Sequence, residues 1–426
     1  MKRYLFLWIA LTCLLLIAVA AFNVVVDPYG LFRFVDKPGF NSIKPTAAGQ
    51  GPMTKAYQVL RVQPRGLILG NSRSEVGFDP EHPAWPADAR PVFNAALPGT
   101  GTSVTLQYLQ HVLANADRNS APKPKVILWG MDFMDFLVDA SLLGHDLEPK
   151  RENSRLLSNR DGSDNSRRWV VQVKDHAQST FTLGAFIDSM QTLGSRKSPF
   201  AVDLTPLGFN PMRDYLKITA DEGYANVFRA KDQANIKAFL RRPKDIFDAG
   251  GASSPELDDM RNILSLCRRH GISLHLVIYP YHARLLEIIR ITGHWPAFEN
   301  WKRAIVQLVG KDAESAGPAS VRLWDFSGFN ALSTEPVPEK GDRRTATRWY
   351  WEAGHFKREL GNLVQDRIFG RPETVPGFGV PLTSATVDDQ IISIRSQEVD
   401  YRQSHSKEVD DLERMAAEAA SLRRKR

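Results

Sequence analysis

The chain opens on an unbroken apolar run: no residue from Tyr4 to Val26 is charged, and Lys2 and Arg3 stand directly before it. About 20 apolar residues suffice for a helix to cross the hydrocarbon core of a bilayer, so the run predicts a membrane anchor over residues 1–26. The positive residues ahead of it place the amino terminus in the cytoplasm and everything after Asp27 outside. The competing reading is a cleaved signal peptide, for which Ala18, Ala20 and Ala21 supply small residues. A signal core is ordinarily about 7 to 15 residues long, and here the run continues through Phe22 to Val26. The expectation is a single-pass protein of the cytoplasmic (inner) membrane with its body in the periplasm or outside the cell.

After the anchor the pattern changes twice. Residues 27–65 are rich in Pro and Gly, show little periodicity and read as a connecting segment. From Gly66 to Gly370, short apolar runs alternate with stretches of helical spacing. The strand candidates are Gly66–Leu69, Val92–Asn94, Val126–Trp129, Ser273–Tyr279 and Val321–Asp325. Between and after them, Val104–Ala114, Pro255–His270, His282–Ile291, Pro296–Val309 and Phe356–Phe369 have helical spacing, with Ser254 and Pro255 as cap and first turn of the second. This alternation predicts an α/β fold, a largely parallel sheet covered on both faces. Residues from about 141 to 250 interrupt it with a polar stretch (Glu152–Arg168) and one helix candidate (Phe181–Leu193), and read as an insertion or lid. Residues 371–387 read as a linker, and 388–426 as a charged helical tail, solvated or partner-binding.

Composition narrows the function classes. The 426 residues are 43% hydrophobic and 24% charged, with a formal net charge of +7. The basic residues are scattered and no nucleic-acid motif accompanies them, so the charge implies mild attraction to anionic membrane or polymer surfaces and no nucleic-acid partner. The two cysteines, Cys13 in the apolar run and Cys267 in a predicted helix, are not placed to form a disulfide. No His/Cys grouping has metal-ligand spacing, and neither a Walker loop nor Gly-x-Gly-x-x-Gly occurs. Neither a metal nor a cofactor is expected.

The chemistry-bearing candidates lie at opposite ends of the alternating region. Gly70-Asn71-Ser72-Arg73-Ser74 follows the first strand candidate, at the sheet edge where open α/β folds bind ligands. A serine hydroxyl needs a base to become a nucleophile; without one, Ser72 is a turn residue. Tyr350-Trp351-Glu352-Ala353-Gly354-His355-Phe356 offers a base, with a carboxylate three residues ahead to fix its tautomer. The plainer reading of that pair is a helix-start carboxylate and a surface histidine.

Taken together these blocks resemble the SGNH/GDSL hydrolase superfamily, in particular its membrane-anchored envelope branch of acyl esterases and acyltransferases. Gly70-Asn71-Ser72 is similar to the family's opening strand and Gly-x-Ser. Val92-Phe93-Asn94-Ala95-Ala96-Leu97-Pro98-Gly99-Thr100 is similar to its second block, and Glu352 with His355 to its closing Asp-x-x-His, with Glu in place of Asp. The resemblance spans Gly66 to Gly370 apart from 141–250. It implies a flavodoxin-like three-layer sandwich, Ser72 as nucleophile, His355 as base, Glu352 as orienting acid, and an oxyanion hole from the backbone N–H groups of Ser72 and Gly99. One block departs: the family has Gly-x-Asn-Asp where this chain has Trp129-Gly130-Met131-Asp132, without an amide side chain. Loss of such a donor costs about 10²- to 10³-fold in rate. Arg73 is either a replacement donor or part of a salt bridge below the turn. Asn94, Asp132, Tyr279, His282 and Asp325, with Arg284, are candidates to line the pocket. Asp325 is alternatively a replacement for Glu352 as orienting acid or a buried structural group, and His282 a satisfied structural histidine. The implied function is a serine acyl esterase or O-acyltransferase acting on an O-acylated envelope or exported polysaccharide, beside a membrane-bound acyltransferase. The alternative is a non-catalytic envelope assembly or polymer-binding protein on the same fold.

Overall fold

Apolar runs too short and too rich in β-branched residues for helices pair side by side in the computed structural model, which describes residues 1–137, 154–243, 245–247, 254–316, 321–372 and 375–424. Strands β1 (Gly66–Leu69), β2 (Val92–Asn94), β3 (Val126–Met131), β4 (Ser273–Ile278) and β5 (Val321–Asp325) are mutually parallel. Farther along come β6 (Tyr350–Glu352), β7 (His355–Phe356) and β8 (Val380–Pro381). The main sheet has six strands in the order β2-β1-β3-β4-β5-β8, with β8 antiparallel to β5; β6 and β7 form a separate antiparallel pair. Every residue of β1, β2 and β3 is buried, which is why these strands read as continuous apolar runs without alternation. The protein is thus mixed α/β around a mostly parallel central sheet.

Chain direction reverses its lateral course at β1, which has β2 on one side and β3 on the other. Such a switch point leaves a crevice at the carboxyl ends of the strands, and Ser72 stands two residues beyond Gly70 there. Helix Thr102–Asn119 packs against Gly51–Val62 and Pro255–Arg269. The cap expected at Ser254 is present: its hydroxyl accepts the Leu257 N–H at 3.3 Å.

Four segments differ from expectation. Residues 27–65 carry helices Pro45–Gly49 and Gly51–Val62, and the second buries Lys55, Ala56, Tyr57 and Val59. The segment expected as a lid begins and ends outside the described residues, at 138–153 and 248–253. Its helix Tyr224–Arg241 sends Phe228, Ile236 and Phe239 into the main core and is no lid. Within the expected linker, β8 extends the sheet. The charged tail is two helices, Val387–Ser404 and Ser406–Arg424, whose Ile391, Ile394, Tyr401, Leu412 and Met415 also join the core. Their charge is spent on the body, in pairs such as Arg395–Glu299, Arg402–Glu287 and Arg284–Glu408. The tail is therefore packed, not solvated: polar residues outnumber the apolar stripe and masked it.

The helix Lys2–Val26 is long and apolar enough to cross a membrane; it is exposed over most of its length up to Ala18 and packs on the body from Val19 onward.

Candidate active site

β1 ends at Gly70, whose φ is +130° and whose missing side chain makes room for three groups. A Cβ there would stand 2.6 Å from Ser74 Oγ and 2.7 Å from both the Gly130 carbonyl and the Tyr279 hydroxyl. No other residue fits this turn. Asn71 then caps the short helix Ser72–Gly77, its side-chain oxygen accepting the Arg73 N–H at 3.0 Å. That places Ser72 on the first turn, part-exposed, at the carboxyl edge of the sheet.

The closing block folds differently from a helix start. Glu352 and His355 are cross-strand partners across the tight turn Ala353-Gly354 between β6 and β7, and the closing helix begins only at Arg358. The hairpin brings three side chains into one chain of hydrogen bonds. Ser72 Oγ lies 2.8 Å from His355 Nε2, and His355 Nδ1 is bonded to Glu352. Glu352 also accepts the Gly354 N–H at 2.6 Å and is buried, whereas His355 is part-exposed. Burial raises the Glu352 carboxyl, but His355 and the Gly354 N–H outweigh it and hold the pKa down to about 2. Charge is therefore fixed at the buried end of the chain and the hydroxyl at the open end.

Arg73 stands beneath this arrangement. It donates from Nε to the Gly354 carbonyl at 2.6 Å and pairs with Asp132, with Tyr279 and Tyr281 against its guanidinium. The salt-bridge alternative is the one found, and a free oxyanion donor is not. Asp132 is buried and further held by the Tyr281 hydroxyl at 3.0 Å and the Asn71 amide at 2.9 Å. Asn71 Nδ2 also donates to Asp135 at 2.9 Å; burial lifts that carboxyl to about 7, although Arg73 and Asn71 pull it down.

The remaining candidates frame the site without lining it. The Asn94 amide donates to the Ser74 and Phe78 carbonyls at 2.9 and 3.0 Å and accepts the Ala96 N–H at 3.1 Å, tying β2 to the helix of Ser72. The buried Tyr279 hydroxyl donates to the Gly130 carbonyl at 3.0 Å. His282 caps helix Ala283–Ile291, accepting the Arg284 N–H at 3.2 Å and donating to the Glu335 carbonyl at 3.0 Å; burial pushes its pKa down to about 3. It is a neutral structural histidine. Arg284 pairs with Asp232 and Glu408. Asp325 is buried against Lys302 at 2.7 Å and Ser327, so it does not stand in for Glu352. Gly99 lies on an exposed turn with φ +68° and open space around it.

Reading the sequence missed Asn71, Asp135 and Tyr281. Only Asn71 carried a signal, as the residue between the turn glycine and the serine. No family model matches the chain, and no curated protein matches it.

Proposed function

We propose that the chain is a membrane-anchored, extracytoplasmic serine acyl esterase or O-acyltransferase of the SGNH/GDSL kind, acting on an envelope or exported polysaccharide. What carries this reading is the 2.8 Å contact between Ser72 Oγ and His355 Nε2, with Glu352 on the far nitrogen. The parallel strand order β2-β1-β3-β4-β5 also supports a flavodoxin-like sandwich with its site at the switch point.

In this mechanism Ser72 Oγ attacks the ester carbonyl while His355 Nε2 takes its proton, and Glu352 stabilises the imidazolium. The N–H groups of Ser72 and Gly99 receive the oxyanion. On collapse the ester C–O bond breaks, His355 returns the proton to the departing hydroxyl, and an acyl-serine remains. Water then completes hydrolysis, or a glycan hydroxyl completes transfer, with His355 again as base. Glycan, acyl group and a membrane-bound acyl-donor partner follow from family analogy.

One observation favours the non-catalytic reading: Met131 is buried where the family has an amide donor. A serine-directed fluorophosphonate probe on the detergent-solubilised full chain decides between the two. Labelling of the parent protein and none of Ser72→Ala is the expected result; a folded parent protein that takes up no label overturns the catalytic reading.

A further inference from the structure

Two helices of this protein are inside out. Arg168–Phe181 buries Asp175 and Ser179 and exposes Trp169, Val170, Val173 and Phe181. Leu183–Ser195 buries Ala185, Ser189 and Thr192 and exposes Leu183, Ile187 and Met190. A helix on a water-facing surface does the opposite. On the first helix Trp169, Val173, Ala177 and Phe181 recur every four residues, so they share one face, and a shallow groove of about 430 Å³ runs along them. Of the inward polar groups, Asp175 accepts the Tyr57 hydroxyl at 2.7 Å and Arg155 Nε at 3.0 Å, and the Ser179 hydroxyl donates to the Asp175 carbonyl at 2.7 Å, whereas the buried Thr192 hydroxyl has no partner among the described residues. Asp175 in particular is held inside by two donors, so the inversion is built into the packing.

Both helices sit on the apolar helix Lys2–Val26. Asn23 donates to the Thr180 carbonyl at 3.0 Å and accepts the Ser189 hydroxyl at 3.0 Å, and the Phe22 and Phe186 rings lie 5.3 Å apart. Residues up to Ala18 are almost all exposed; contact with the body begins at Val19. The free stretch from Tyr4 to Ala18 is only ~22 Å long at ~1.5 Å per residue, against ~30 Å of hydrocarbon. With Lys2 and Arg3 at one face, the helix crosses fully only if the body is drawn in until roughly Asn23 reaches the other. That carries the two helices to the same depth, where Asn23 needs the partners it has. Exposed Arg167, Arg196 and Lys197 flank the pair, as suits a segment at headgroup level.

We propose that residues 168–195 lie in the outer-leaflet interface of the membrane that the amino-terminal helix spans, with their apolar faces among lipid acyl chains. They fix the depth of the body on the bilayer. This rests on the anchored reading of Lys2–Val26, and the test separates the two.

The full chain, with Cys13→Ala and with Cys267 buried, is labelled with an environment-sensitive dye at Leu11→Cys, Val173→Cys, Ile187→Cys or, on an exposed loop, Lys340→Cys. Each variant is reconstituted in phosphatidylethanolamine/phosphatidylglycerol vesicles, with lipid nitroxide near the headgroup end of the acyl chain or with aqueous iodide. The expected result is severalfold stronger quenching by lipid nitroxide than by iodide at positions 11, 173 and 187, and the reverse at 340. Iodide quenching at 173 and 187 with lipid quenching at 11 overturns the interfacial proposal and leaves the anchor standing. Shielding of 173 and 187 from both quenchers also overturns it, since protein would then cover the face. Failure at position 11 removes the anchored reading itself, and the proposal with it.

Discussion

A methyl group on Gly77 would stand 2.0 Å from the Phe356 ring, so the helix of Ser72 and the strand of His355 meet where only a hydrogen fits. Gly77→Ala must push these elements apart. Overpacking of this kind costs about 1–3 kcal/mol, and here the displacement falls on the Ser72–His355 contact. The expected outcome is a folded protein with a lower melting temperature and strongly reduced fluorophosphonate labelling. Gly310→Ala is the control, since a Cβ there meets nothing; it should keep labelling and gain up to ~1 kcal/mol from helix propensity.

The three side chains of the hydrogen-bonded chain should not be equivalent in esterase assays. On the proposed mechanism, His355→Ala removes the base and should lower turnover by about 10²- to 10⁴-fold. Glu352→Gln leaves the base in place, poorly oriented and less compensated in charge, and should be milder. Equal loss in both variants would show that Glu352 holds the β6–β7 hairpin together more than it orients His355; a melting curve of Glu352→Gln distinguishes these effects.

The blocks of this site were legible in the sequence because each is a local pattern, whereas the meeting of Ser72 and His355, 283 residues apart, was implied only by the family resemblance. The strand before Ser72 is a buried apolar run, and Glu352 and His355 are near neighbours in the chain. What was not legible is long-range. Nothing local reveals that Arg73 reaches the Gly354 carbonyl, or that Asn71 bridges Asp132 and Asp135. His282 and Asp325 looked like pocket residues because they follow strands, yet a helix cap and a buried lysine claim them. The carboxy-terminal helices were misread for a different reason: their polar faces carry most of the residues, and an apolar stripe at Ile391, Ile394 and Tyr401 is narrow.

The depressed Glu352 carboxyl gives stability a defined pH dependence. Its folded pKa, about 2, lies below the ordinary glutamate value of 4.5. The unfolded chain thus binds the proton more readily, and the linked stability, on the order of 3 kcal/mol, is present above pH ~4.5 and lost as pH falls towards ~2. Thermal melts of the parent protein and Glu352→Gln at successive pH values should converge on acidification across that window. A constant gap between the two curves would mean that the carboxylate charge contributes nothing.

Arg73 and Asp132 form an ion pair with little access to water. Removing one partner leaves the other charge buried, which costs about 3–5 kcal/mol. Arg73→Met should therefore destabilise the protein strongly and loosen the turn at Gly354, whereas Arg73→Met combined with Asp132→Leu should recover part of the stability. It should not recover activity, because the bond from Arg73 to the Gly354 carbonyl is still missing. Denaturant melts and probe labelling of the single and double variants test both halves.

The carboxy-terminal helices bear on how a non-catalytic role can be tested. If residues 388–426 were a solvated tail that holds a partner, deleting them would leave a stable body and remove only envelope function. Leu412 is instead fully buried in the main core, and Arg402 bridges Glu287 of the body to Glu413. Leu412→Ala should cost about 2–5 kcal/mol as a core truncation, and deletion of 388–426 should abolish soluble, detergent-stable protein. Ile392, on the same pair of helices but 61% exposed, provides the contrast: Ile392→Ala should stay within about 0.5 kcal/mol of the parent. If Leu412→Ala were as silent as Ile392→Ala in chemical denaturation, the helices would be docked too weakly to belong to the core. A deletion phenotype would then report partner binding; with the expected result it reports unfolding, and only surface substitutions such as Ile392→Asp can address a partner.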